Sequence, residues 1–224
     1  LATQINANRD CLQIDVDESF QSLAVWLEQL IAESLGKNGK GLLPLGNATP
    51  AAQSSRLARV NLGSSSDDQF WQRVDRVEDQ VPSFKIVLDE PEDIAGEFFR
   101  WSFATAVAGA LIGVNPFNEP DVSASKKITR DLLDAQELTT EPRIVPVAEL
   151  AATLQRAGSR SYLAVLNYLP SDPTVNDMLD EFAQSVRDRF GLPVSINAGP
   201  RYLHSTGQLH KGGSDHGVYL FVYG

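Results

Sequence analysis

A single cysteine, Cys11, stands among 224 residues. An internal disulfide and a cysteine metal cluster are therefore excluded, and a reducing compartment, the cytoplasm by default, is expected. No apolar run reaches the roughly 18 residues of a membrane span, and the start at Leu1 lacks the pattern of a signal peptide. Basic charge is scarce as well: 19 Lys and Arg face 29 Asp and Glu, for a formal charge of -10. Nucleic acid and anionic membrane surfaces are poor partners for such a chain, because both demand clustered Lys and Arg. A phosphate ester could bind only where local cations and backbone amides override the global field. The three histidines all fall in one loop without an evident carboxylate partner, so no metal site is expected. With no initiator methionine before Leu1, the expectation is a segment cut from a longer chain.

What is present alternates strand and helix. Asp17 can cap a helix whose apolar positions Phe20, Leu23, Ala24, Leu27, Leu30 and Ile31 recur at three-to-four spacing, and Gly36 and Gly39 end it. Glu33 then lies at the C-terminal end, where a carboxylate opposes the helix dipole by about 0.3 to 1 kcal/mol unless Lys37 or a functional need offsets it. Gly46 to Ser55 reads as a linker, Leu57 to Leu62 as the first strand, and Asp68 to Glu78 as a short helix. Phe84 to Leu88 is so apolar that a strand buried on both faces is expected. The helix from Pro91 to Val114 carries Phe98, Phe99, Trp101, Phe103, Val107, Leu111 and Ile112 around its circumference, which predicts burial on most sides. A further helix starts at Val122. Arg143 to Val147, Ser161 to Tyr168, Pro193 to Asn197 and Val218 to Tyr223 are strand candidates, and Thr174 to Phe190 a helix. The pattern predicts one α/β domain over residues 1 to 224, a doubly wound, mainly parallel sheet of five or six strands flanked by helices.

Three stretches place ionisable residues where elements end: Ala32 to Gly41 (AESLGKNGKG), Asn115 to Lys126 (NPFNEPDVSASK) and Arg201 to Gly213 (RYLHSTGQLHKGG). Histidine exchanges protons near neutral pH, lysine stabilises an anion, and glycine lets backbone approach a ligand. A carboxylate, a lysine and a histidine form the set for aldose-ketose isomerisation, in which a proton alpha to a sugar carbonyl is taken up and returned to the carbonyl carbon.

These stretches resemble the active-site segments of glucose-6-phosphate isomerases. The chain is similar to the C-terminal sugar-isomerase (SIS) half of the isomerase part of bifunctional transaldolase/glucose-6-phosphate isomerases, from about Asp17 onward. An SIS-like, flavodoxin-like fold is what that resemblance implies. The family's E-S-x-G-K base corresponds to Glu33 in ESLGK, and its F-D-Q-x-x-V segment, ending in the catalytic lysine, to FNEPDV followed by SASK and Lys126. Its ring-opening histidine falls in HSTGQLH, with His204 and His210 both open as candidates. Ser34, Lys37, Glu119, Arg201, Ser205, Thr206, Gln208 and Lys211 are the implied substrate contacts. Where the family has Asp-Gln, this chain has Asn118-Glu119, and an acid there repels an anion.

The resemblance implies interconversion of glucose 6-phosphate and fructose 6-phosphate without a cofactor. An upstream SIS domain would supply the phosphate loop, and a transaldolase domain would share the parent chain. A sugar-phosphate-binding or dimerisation module without catalysis is the alternative, and homo-oligomerisation stays open.

Overall fold

The computed structural model describes residues 1–46, 54–75, 81–135 and 143–224. In chain order its regular elements are α1 (Ala2–Asn6), β1 (Cys11–Val16), α2 (Gln21–Leu35), β2 (Leu43–Gly46), β3 (Leu57–Gly63), α3 (Asp68–Asp75), β4 (Ser83–Val87) and α4 (Pro91–Ile112). Then follow α5 (Pro120–Asp134), α6 (Val147–Arg156), β5 (Tyr162–Asn167), α7 (Pro173–Phe190), β6 (Val194–Ala198), α8 (Gly207–Gly212) and β7 (Gly217–Val222). The strands form two sheets, ordered β2-β1-β3-β4 and β6-β5-β7, and every hydrogen-bonded pair is parallel. β2 lies alongside β6, so the two sheets adjoin. The expected α/β class with parallel strands and flanking helices is what the chain adopts.

Strand alternation decides the layering. Leu12, Ile14 and Val16 of β1 and Ala58, Val60 and Leu62 of β3 point to one face, where Leu23, Leu27, Ile31 and Leu35 of α2 and Trp101, Ala108 and Ile112 of α4 cover them. A second core joins the two sheets, packing Cys11, Leu43, Leu45 and Leu57 against Tyr162, Ala164, Leu166, Tyr202 and Leu209. A third sits between β5, β6 and the helices α6 and α7, around Leu154, Leu163, Val165, Ala183 and Val194. Each fully buried Leu, Ile or Val stabilises by about 1.5 to 3 kcal/mol relative to exposure.

Helix ends follow their signals. Asp17 accepts the Ser19 amide at 2.8 Å, and so caps the 3-10 turn Glu18–Phe20 that leads into α2. Glu90 and Asp93 form a capping box ahead of Pro91 at the start of α4. Gly113, at φ 72°, ends that helix in the left-handed region.

Several sequence expectations are corrected. Strands β1 and β2 escape the pattern reading, because Gln13 and Asp15 alternate with the apolar positions of β1 and β2 has only four residues; the strands therefore number seven among the described residues. Phe84 and Val87 are exposed, since β4 is the edge of its sheet. Helix α4 buries one side only, through Glu97, Trp101, Thr105, Ala108, Gly109 and Ile112. Its opposite side shows a four-residue repeat of Phe99 (74% exposed), Phe103 (62%), Val107 and Leu111 (68%). Residues 143–146 form no strand; they are exposed and lead into α6 with Pro146 as N-cap. The linker read over Gly46 to Ser55 and the end of the helix read to Glu78 fall largely outside the described residues.

Candidate active site

Three chain segments far apart in sequence converge: the end of α2, the loop between α4 and α5, and α8. Gly36 makes the first contact possible, because a Cβ there would lie 2.4 Å from the Leu209 Cα and 2.6 Å from the Ala32 carbonyl oxygen. Only a residue without a side chain lets α2 and α8 meet this closely. Gly212 plays the same part against α5, since a Cβ on it would meet the Asp121 carboxylate.

Gln208 ties the three together. Its side chain is buried, its Nε2 donates to the Gly36 carbonyl at 3.0 Å and to Asp121 Oδ2 at 2.6 Å, and its Oε1 accepts the Val122 amide at 3.2 Å. All the hydrogen-bonding capacity used here goes to the protein, which makes Gln208 a tie between segments.

Lys37 forms the second tie. Only 1% exposed, it sends Nζ to the Ser34 carbonyl at 3.0 Å and to the Asn115 carbonyl at 2.8 Å. One ammonium thus satisfies a carbonyl at the end of α2 and clamps the loop between α4 and α5 against it. Burial lowers the Lys37 pKa, an effect opposed by Glu33, Asp121 and Glu119. The offset expected for a carboxylate at the helix end is this buried cation.

Glu33, at the end of α2, and Glu119, ahead of α5, both border the junction. The Glu33 carboxyl is held above its ordinary pKa, first by burial; the amide of Gln29, at 3.3 Å, lowers it, a hydrogen bond and repulsion from Glu119 raise it, and Lys37 lowers it. Glu119 Oε1 lies 3.9 Å from Lys126 Nζ, and both side chains are solvent-accessible. Lys211 joins from α8: burial lowers its pKa, Asp121 opposes that and Lys126 adds to it. Glu33, Glu119 and Asp121 therefore interleave with Lys37, Lys126 and Lys211, and charge is nearly balanced within a chain of strongly acidic composition.

The histidines lie apart from this cluster in their contacts. His210 sits in a tyrosine cage, its Nδ1 3.1 Å from the Tyr162 hydroxyl and its ring 5.4 Å from that of Tyr219 and 6.4 Å from that of Tyr202. Burial, with a further contribution from Lys211, pushes its pKa down to about 4. His204 is exposed at the end of the 3-10 turn Arg201–His204. Arg201 in that turn pairs with Glu28 of α2 at 4.0 Å. Ser205 and Thr206 are buried, with the Thr206 hydroxyl donating to Asn197 Oδ1 at 2.9 Å and that of Ser205 directed to the Tyr202 carbonyl at 3.5 Å. Ser34 contributes its carbonyl to Lys37.

Of the residues predicted from sequence, Glu33, Lys37, Glu119, Lys126, Gln208 and Lys211 are thus linked by direct contacts or close charges. Asp121 was not singled out, although an acid just after Pro120 in the first turn of a helix is a readable signal. Asn115 could not have been read, because it acts through its backbone oxygen. Among the described residues no group of three or more His, Cys, Asp or Glu is placed to hold a metal ion, and no helix is long and apolar enough to cross a membrane.

No family model matches the chain. Curated proteins do. Over 165 residues it is 25% identical to a protein named "Probable glucose-6-phosphate isomerase" from Methanococcus maripaludis, a match covering 57% of this chain and 38% of the relative. Glucose-6-phosphate isomerases from Rubrobacter xylanophilus and Heliobacterium modesticaldum are 26% and 28% identical, over 50% and 52% of this chain and 36% and 35% of theirs. The chain spans little more than a third of the length of these relatives, and over about half of its own length it is similar to proteins that bear the name of a sugar-phosphate isomerase.

Proposed function

We propose that this chain carries the proton-transfer wall of an aldose-ketose isomerase that interconverts glucose 6-phosphate and fructose 6-phosphate. The observation that supports it most is the convergence of Glu33, Glu119 with Lys126, and Gln208 with Lys211 from three separate stretches onto one junction. The names of the distant relatives point to the same reaction.

In this reading Glu33 takes the proton from C2 of the open-chain aldose and returns it to C1, through an enediolate. A carboxylate with a raised pKa suits that task, because its proton affinity lies nearer that of the carbon acid. Lys126 assists ring opening and offsets the negative charge that develops on the enediolate oxygens. The reaction moves protons between adjacent atoms without net oxidation, so it calls for no redox cofactor. Phosphate binding is assigned to a second wall, an upstream sugar-isomerase domain of the parent chain. The apolar repeat on α4 supports such a neighbour, since exposed patches of this kind are typical of surfaces that another domain covers.

The test is Glu33→Gln in the parent chain, measured as glucose 6-phosphate turnover and as solvent exchange of the C2 hydrogen. Loss of both, with sugar-phosphate binding retained, is expected. Turnover at the wild-type rate would remove Glu33 from the chemistry, and binding without turnover in the unaltered parent would favour the non-catalytic binding module.

A further inference from the structure

Glu33 and Lys126 stand on different helices. Glu33 takes the Gln29 amide from its own helix at 3.3 Å, and Lys126 pairs with Glu119, at the head of its own helix, at 3.9 Å. Neither of these contacts crosses from α2 to α5.

The crossing is made through backbone groups close to each of them. Gly36 lies three residues past Glu33 and Val122 four residues before Lys126, and the Gln208 amide joins the two. Nε2 donates to the Gly36 carbonyl at 3.0 Å, and Oε1 accepts the Val122 amide at 3.2 Å. One is an acceptor left over at the C-terminal end of a helix, the other a donor left over at the N-terminal end of the next.

Asp121 decides which way round that amide stands. Its Oδ2 takes the other Nε2 hydrogen at 2.6 Å, in a short, charge-assisted bond. Turned over, the amide would set its oxygen against a carbonyl and a carboxylate and its NH2 against an N–H, so one orientation alone satisfies all three partners. The α8 backbone stands close by as well, since a Cβ on Gly212 would meet the same carboxylate oxygen. At the other end of the loop, Lys37 joins the Ser34 and Asn115 carbonyls at 3.0 and 2.8 Å. The segment that carries Glu119 is thus fastened to the last turn of α2 on both sides.

We propose that Gln208, oriented by Asp121, is the positioning residue that fixes Glu33 relative to Lys126. This rests on the isomerase reading of the site. Gln208 is 1% exposed and both of its donors are engaged, so it leaves the set of substrate contacts expected from sequence. Proton transfer from C2 needs the carboxylate at carbon while the ammonium faces the neighbouring oxygens, and a misplacement of about 1 Å costs about 10² in rate. Sugar-phosphate affinity is assigned to the upstream wall, so a shift between the two helices falls on kcat and spares KM.

Two measurements test this. In this chain, amide hydrogen exchange at Val122 is compared with that in Gln208→Met, which keeps the length and removes the amide. Exchange about tenfold faster in the variant is expected, and equal protection overturns the tie. In the parent chain, Gln208→Glu sets a carboxylate oxygen against the Gly36 carbonyl and the Asp121 carboxylate. Its kcat should fall by about 10 to 10² with KM little changed, and deuterium at C2 should slow it more than it slows the unaltered parent, because proton transfer becomes the limiting step. Adding Asp121→Asn gives the new carboxylate a donor and should recover part of the loss.

A merely structural role would lower the amount of active protein and leave the isotope effect unmoved, a result that overturns the proposal. If Gln208→Glu does not fold, Gln208→Met takes its place in the parent with the same kcat, KM and isotope readouts. Binding of glucose 6-phosphate without turnover in the unaltered parent sinks the isomerase reading, and exchange at Val122 then decides the tie alone. Turnover in the parent, with kcat and isotope effect unchanged in the variant, leaves that reading standing and overturns the positioning role.

Discussion

The tyrosine cage around His210 makes the protein sensitive to acid in a way that can be isolated. An imidazole in the unfolded chain titrates near 6.5, whereas burial first, and Lys211 second, push the folded value down to about 4. The Tyr162 hydroxyl reaches Nδ1, and Nε2 is buried with no hydrogen-bond partner among the described residues, so a second ring proton would have no acceptor there. Between those two pH values the unfolded state binds one proton more than the folded state. The contribution of a neutral His210 is therefore intact above 6.5 and is lost as pH falls toward 4, at ~1.4 kcal/mol per pH unit. The whole loss is about 3 kcal/mol, a sizeable part of the 5 to 15 kcal/mol typical of a folded domain. Glu28, Glu33 and Glu97 have raised values and act with the opposite sign, so the net acid curve of the wild type is a sum. His210→Asn keeps a polar partner for Tyr162 and removes the titration. Urea unfolding of both proteins through this pH range should give curves whose difference closes by about 3 kcal/mol on going to acid. Parallel curves would refute the cage as a source of neutral histidine.

Glu33→Gln should raise stability at neutral pH, because a carboxyl whose folded pKa is raised contributes stability below its ordinary value and loses it as pH rises; in the parent chain it should lower turnover by at least ~10². A melt at pH 7 and a coupled assay check the two halves. Gly36→Ala should destabilise by about 1 to 3 kcal/mol, since the clash at 2.4 Å is with backbone that cannot swing aside, and an unchanged melting temperature would show that α2 and α8 separate freely. Phe103→Ser should leave the stability of this chain within ~0.5 kcal/mol, as expected of an exposed site, while weakening association with an upstream domain supplied as a separate polypeptide. A large loss of stability would place Phe103 in the core after all.

Periodicity exposed most of the fold because the longer elements obey it. Strands β3, β5, β6 and β7 and helices α2, α4, α5 and α7 all carry their apolar residues at the spacing that their geometry requires. β1 did not, because two of its six side chains form a buried polar network in which Arg59 pairs with Asp15 at 2.7 Å and Gln13 donates to the same carboxylate at 2.8 Å. Polar residues at alternate positions normally mean solvent, and here they mean partners on the neighbouring strand. α4 and β4 misled in the other direction. Apolar composition alone does not say which residues this chain buries, because exposed surface also carries apolar side chains and larger apolar patches mark sites of interaction.

The candidate site shows where such reading stops. Glu33, Glu119 and Lys126 could be named because the segments that carry them resemble the active-site segments of glucose-6-phosphate isomerases. The roles of Lys37 and Gln208 could not be assigned, since a lysine beside a base looks like a substrate ligand until its ammonium is found on two carbonyls. The same holds for the histidine. His210 lies two residues beyond Gln208, in a helix of only six residues, and so projects from a different side of it: Gln208 meets α2 and α5, while His210 enters the tyrosine cage. A motif written in one dimension cannot separate those faces, but 3.6 residues per turn can. If a histidine opens the sugar ring, the exposed His204 has the access to do it, and a His204→Ala variant should then slow turnover of the cyclic sugar far more than that of the open-chain form. Equal slowing of both forms would leave ring opening to Lys126.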